Sequence, residues 1–112
     1  MDRRVTDEQL FESLDYLRDE NSSISRARAR RLIIEEGRKN LKARLMQESA
    51  ASAAAKKEAD AYAHPEYRHL LLQLQEAIEA DEHFRLQLEY HRARIEIWRT
   101  QAANQRAIDR VT

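Results

Sequence analysis

PEYRHLLLQLQEAIEADEHFRLQLEYHRARIEIWRTQAANQRAI, residues Pro65 to Ile108, is the longest run in the chain that one periodicity accounts for from end to end. Stepping by three and four residues from Tyr67 reaches Leu70 and Leu71, Leu74, Ala77 and Ile78, Asp81, Phe84, Leu88, His91, Ile95, Trp98, Ala102 and Gln105. That spacing is a heptad stripe along one side of an α-helix. At about 1.5 Å per residue it predicts a rod on the order of 60 Å long. Such a helix cannot bury its stripe alone, so the fold follows from what covers it.

Composition limits the answer. The 112 residues suit one domain, and 36% charged residues with one Gly and one Pro are a long-helix composition that leaves no room for a sheet. A mean hydropathy of −0.85 and 6% aromatics supply too little apolar material for a thick core. The expected assembly is therefore a thin helical homo-oligomer. No cysteine is present, which excludes a disulfide framework or a thiolate metal site and fits the cytoplasm. No apolar run reaches membrane-span length, and the charged N-terminus lacks a signal-peptide core.

The formal net charge of zero hides a sorting along the chain. Met1 to Ser25 carries three basic and seven acidic residues, and Arg26 to Arg44 carries eight and two. Leu45 to Arg85 carries four and eight, and Leu86 to Thr112 five and three. Positive charge is thus concentrated in two stretches far apart in sequence.

Upstream of the stripe, Met1 to Val5 reads as a mobile basic tip. Thr6 and Gln9 form a capping box, and Leu10, Phe11, Leu14 and Leu17 make the apolar side of a short N-terminal cap helix within residues 1–22. Asn21, Ser22 and Ser23 are turn and cap residues. A first long helix is expected over 23–63, with Ile24, Ala27, Ile34, Leu41, Leu45, Ala55, Ala59 and Tyr62 at nearly heptad steps. Gly37 lies inside it as a local weak point. Ser49 to Ala55, SAASAAA, reads either as plain helix former or as a thin face for close helix approach.

Pro65 ends that helix and starts a second long one over 65–109, with Glu66 near its positive end. A tight reversal there gives a long antiparallel helical hairpin, coiled-coil-like and all-α, whereas a kink gives one bent rod. The similar arm lengths favour the reversal. Folding about His64 sets Leu45 near Phe84, Leu41 near Leu88, Ile34 near Ile95 and Arg31 near Trp98, with the Ala-rich patch opposite Leu74 to Ile78. Leu74, Ile78, Phe84, Leu88, Ile95 and Trp98 are the expected core and oligomer interface.

The same reversal brings RARARR (Arg26 to Arg31) and RKNLKAR (Arg38 to Arg44) beside Arg92, Arg94, Arg99, Arg106 and Arg110. A basic patch of that size binds phosphate backbones by counterion release, and nearby aromatics stack on bases. Arg28, Arg31, Lys42, Arg44, Arg94 and Arg99 are the candidate nucleic-acid contacts. The competing reading is that acidic residues of the Asp7 to Glu20 helix fold over the patch and neutralise it. None of His64, His69, His83 and His91 makes a helical zinc pair, and Glu79, Asp81 and Glu82 read as a solvated face rather than a cation site. Asp81 within the stripe must face Lys or Arg, or mark a watered layer that fixes register. No catalytic residues, metal site or cofactor are expected. A helix-turn-helix over Asp7 to Glu36 is disfavoured, because its second helix simply continues into the rod.

Ser49 to Ala107, with AYAHPEY at Ala61 to Tyr67 and RIEIWRTQAANQRA at Arg94 to Ala107, resembles small all-helical bacteriophage proteins encoded near recombination and single-strand-binding genes. Their suggested role is similar to that of the UvsY-type recombination mediators, and LKAR at Leu41 to Arg44 is similar to the short basic motif associated with DNA contact there. The resemblance implies a non-enzymatic, oligomeric recombination or replication accessory factor in the cytoplasm of a bacterial host. The partners it implies are single-stranded DNA and a recombinase or single-strand-binding protein, and no membrane. The alternative is a protein-interaction module, a scaffold, adaptor or inhibitor of a host protein, that uses its exposed stripe as a helix for a partner's groove.

Overall fold

The structure, a computed structural model, describes residues 4–112 and is all-α: α1 spans Asp7–Glu48, α2 Ala54–Ala63 and α3 Pro65–Val111. No strand occurs among the described residues. The chain divides into two compact units, one built from the residues up to Ile24 with His83–Thr112, the other from Ser25–Glu82. In each unit a stretch of α1 runs antiparallel to a stretch of α3.

The stripe on α3 is as the spacing predicts. Tyr67, Leu74, Ala77 and His91 are buried, and Leu70, Ile78, Asp81, Phe84, Leu88, Ile95, Trp98 and Ala102 are half-buried. Two members of the expected stripe depart from it: Leu71, next to Leu70, is exposed, and so is Gln105 at the far end. Pro65 occupies the first turn of α3, where its missing amide is not needed. His64 caps that turn, its Nδ1 accepting from the Glu66 amide at 3.1 Å and its carbonyl accepting from the Tyr67 amide at 3.0 Å.

Three expected boundaries are corrected. The short cap helix over 1–22 does not end at Asn21 to Ser23, because α1 continues through them without a break. Three such residues cost together on the order of 1–2 kcal/mol of helix propensity. Half-burial of Leu17, Ser23, Ile24 and Ala27 along the same seam outweighs that. The capping box itself is present: the Gln9 amide donates to Thr6 Oγ1 and the Thr6 amide to Gln9 Oε1. Nor is Val5 part of a mobile tip. It is buried, its amide donates to Gln101 Oε1 at 2.7 Å and its carbonyl accepts from Gln101 Nε2 at 2.9 Å. Met1 to Arg3 lie outside the described residues.

The first long helix does not run to residue 63 either. It stops at Glu48, and the SAASAAA stretch forms the link and the first residues of α2. Ser49 makes this break. Its hydroxyl donates to Asp60 Oδ2 at 2.7 Å and accepts from the Ala51 amide at 3.2 Å, a local arrangement that competes with the helical ladder. Folding α2 back also lets Ala61 and Tyr67 enclose Leu45, with Leu41 and Met46 at the edge, which a straight helix could not do.

The reversal therefore occupies Ser49 to His64, and the pairing of the long helices shifts by about that length from a fold about His64. Leu45 meets Tyr67 rather than Phe84, and Arg31 meets Asp81 rather than Trp98. Trp98 instead donates its indole N–H to Asp7 Oδ1 at 2.8 Å, and Ser13 meets His91.

Gly37 is in regular helix, and a Cβ built there meets nothing within 4 Å. Gly37→Ala is therefore expected to stabilise the single folded chain by about 1 kcal/mol, measured as a shift in urea midpoint with unchanged slope at protein concentrations too low for self-association. A loss of stability would show that the backbone there is closely approached.

Candidate functional site

The six candidate cations divide between the two units: Arg28, Arg31, Lys42 and Arg44 lie in Ser25–Glu82, and Arg94 and Arg99 lie in the other. Five of them are engaged by carboxylates of their own unit. Arg31 is the most heavily engaged. Its Nε donates to Glu35 at 3.0 Å, and its Nη1 donates to Asp81 at 3.1 Å and Glu82 at 3.2 Å. The hydrogen bond it donates to Glu35, followed by that to Asp81, raises the pKa of this guanidinium further.

Arg44 bridges Glu48, at 2.9 Å, and Glu66. Lys42 reaches Glu58 at 3.3 Å while its ammonium lies 4.7 Å from the centre of the Tyr62 ring. Arg94 donates to Glu12 at 3.2 Å and packs over Tyr90, and Arg99 pairs with Glu96 on its own helix at 2.9 Å. Arg28 is exposed and has no ion pair among the described residues, as do Arg26, Arg30 and Arg38.

The sorting of charge along the sequence becomes internal complementarity. The acidic start of α1 lies against the basic end of α3, and the basic middle of α1 against the acidic start of α3. Counted over the whole sequence, Ser25–Glu82 holds eleven basic and ten acidic residues and the remainder nine and ten, so neither unit carries a large field. The expected meeting of Trp98 with the arginines of the first arm is replaced by its bond to Asp7.

The expected core residues all face inward: Leu74 is buried, and Ile78, Phe84, Leu88, Ile95 and Trp98 are half-buried. Beside them sits a polar cluster that sequence reasoning found only in part. Ser13, fully buried, shares a 2.9 Å hydrogen bond with His91 Nδ1. The Tyr16 ring stacks on the imidazole with centroids 4.1 Å apart, and Tyr90 meets it edge-on at 5.1 Å. Ser13 follows Leu10 by three residues and precedes Leu17 by four, so extending the heptad count along α1 would have found it. Both side chains of this Ser–His contact are buried.

The other features are open. One hollow in the unit containing the N-terminal residues, about 450 Å³, is bordered by Arg4, Asp7, Trp98, Gln101, Gln105 and Ile108. No group of three or more His or acidic side chains is placed to hold a metal ion among the described residues, and no described helix is long and apolar enough to cross a membrane.

Burial, then the charge of Arg94, lowers the His91 pKa below that of an ordinary imidazole, and Glu12 opposes this only in part. The folded chain thus keeps His91 neutral where the unfolded chain protonates it, near pH 6.5. Its contribution to stability is present above that pH and is lost as the pH falls through the lowered folded value. The thermal midpoint is expected to drop between pH 7 and pH 5, and His91→Gln to flatten that drop, both read by circular dichroism. The Tyr16 hydroxyl is buried without a hydrogen-bond partner among the described residues, and that burial, then Glu20, raises its pKa. Tyr16→Phe should therefore be neutral or stabilising by up to about 1 kcal/mol, and a loss of more than that would reveal a partner for the hydroxyl.

No protein-family model, curated protein or solved structure is significantly similar to the chain.

Proposed function

We propose that the chain is a non-enzymatic helical protein-interaction module that works as an oligomer, in the manner of a scaffold or adaptor. One observation carries this reading: among the described residues seven hydrophobic side chains are buried, whereas twelve large ones, including Phe11, Ile33, Leu72, Tyr90 and Ile97, stay exposed. Much of the cation content is meanwhile held by internal carboxylates, which lowers the return from a phosphate ligand. Exposed aliphatic and aromatic side chains on long helices suit docking of another helix.

The second reading is a single-strand-binding accessory factor of recombination or replication, as the likeness to UvsY-type mediators implies. A specific observation favours it: Arg26, Arg28, Arg30 and Arg38 are exposed on α1 without an ion pair among the described residues. They point around the helix rather than to one side, which suits a wrapped strand less well than a groove would.

Two measurements separate the readings. Light scattering coupled to size exclusion is expected to give a mass above the 13.2 kDa monomer. Titration of labelled oligo-dT is expected to show no tight binding at about 100 mM salt. Submicromolar binding that weakens steeply with salt would replace the first reading by the second.

A further inference from the structure

One side of Ser25–Glu82 carries a groove between α1 and α3. It consists of two open hollows, about 470 and 370 Å³, that meet at Gln73. Ile33, 71% exposed, with Ile34, Leu41 and Leu70 makes its surface apolar. Gly37 falls four residues after Ile33 and four before Leu41, hence on the same side of α1, and space is open where its side chain would be.

The two ends of the groove carry opposite charge. Arg26 and Arg30 border one end, both exposed and without an ion pair among the described residues. Glu66 borders the other and keeps 53% of its side chain exposed despite its bond to Arg44. Arg31 opposite Asp81 and Arg44 opposite Glu66 place Gly37 about level with Gln73. Arg30 precedes Gly37 by seven residues and Glu66 precedes Gln73 by seven. Since the helices are antiparallel, these charges stand on opposite sides of that level, each about 10 Å away.

We propose that this groove docks a second copy of the chain, antiparallel to the first about a two-fold axis at Gly37. The inference deepens the reading of the chain as an interaction module and rests on it. In an isologous contact residue i meets j and j meets i, so Arg30 of each copy stands level with the Arg44–Glu66 pair of the other, where the Glu66 carboxylate borders the groove. The apolar centre is desolvated, and Gly37 lets the two α1 helices approach closely. A groove with basic Arg26 and Arg30 at one end and acidic Glu66 at the other is complementary in charge to a two-fold copy of itself. A nucleic-acid strand running the length of the groove would meet the carboxylate of Glu66.

The chain contains no cysteine, so a single introduced thiol reports its own neighbour. A residue on the two-fold axis meets itself: Gly37→Cys is expected to give a disulfide-linked dimer under mild oxidation. Leu72→Cys, in the hollow bordered by Tyr62 and Leu71 on another part of the unit, is not. Ile33→Arg should weaken self-association on the order of 30-fold with helicity by circular dichroism unchanged. Arg30→Glu should weaken it also, and Glu66→Arg added to Arg30→Glu should restore it. Assembly that persists while Gly37→Cys stays unlinked and Ile33→Arg has no effect overturns the groove but leaves the interaction reading in place. A wild-type chain that scatters as a monomer at every concentration overturns both. Oligo-dT binding that Arg30→Glu abolishes, with Gly37→Cys unlinked, makes the groove a nucleic-acid track and overturns self-docking.

Discussion

The contact of Arg31 with Asp81 sets the register of Ser25–Glu82. Both residues stand at heptad positions of their helices, where aliphatic side chains would ordinarily pack, and both are half-buried. A charge at such a position tolerates few neighbours: sliding α3 by one heptad would set Arg31 against Leu74 or Leu88 and strand both charges in apolar surroundings. Glu35 and Glu82 complete the guanidinium's hydrogen bonds, so the polar layer is satisfied in one alignment and unsatisfied in its neighbours. Most surface ion pairs contribute little to stability. Here the contribution is to alignment, and the placement of Leu45 against Tyr67 follows from it.

The same constraint explains why the charge pattern is open to two readings before the fold is known. A chain with an acid-rich start, a base-rich stretch, an acid-rich stretch and a base-rich end is the pattern of a basic patch if the reversal lies at Pro65. It is the pattern of two neutral, self-complementary helix pairs if the reversal lies one short helix earlier. Nothing in the charges themselves chooses between these. The choice rests on where α1 stops, and Ser49 stops it through a hydrogen bond to Asp60, a partner eleven residues away.

What was legible follows the range of the forces involved. The α3 stripe, Pro65 as a helix start and the capping box at Thr6 and Gln9 depend on residues within a turn or two, and each is found where the spacing puts it. Asn21 to Ser23 resemble a turn because their side chains compete locally with the backbone, yet burial along a seam set by distant residues keeps them helical. SAASAAA misleads in the opposite direction. Its propensity is helical, and tertiary closure of Ala61 and Tyr67 on Leu45 takes it out of the helix. Ser13 was overlooked because a small polar residue carries no hydropathy signal, although its spacing from Leu10 and Leu17 marks the seam as clearly as a leucine would.

Polar seam positions and exposed aliphatics are two consequences of the same scarcity of apolar material. A pair of helices has one contact face each, so its seam can hold only a narrow row of side chains, and several of these positions are taken by Ser13, His91, Arg31 and Asp81. Such residues specify partner and register at a cost in stability that larger hydrophobic side chains would have avoided. A chain with a weakened seam and with Ile33, Leu71, Leu72 and Ile97 still in water has a hydrophobic free energy not yet realised within one copy. Further helices packed on those faces would realise it, and the charges bordering each face then decide which helices can approach and in which direction.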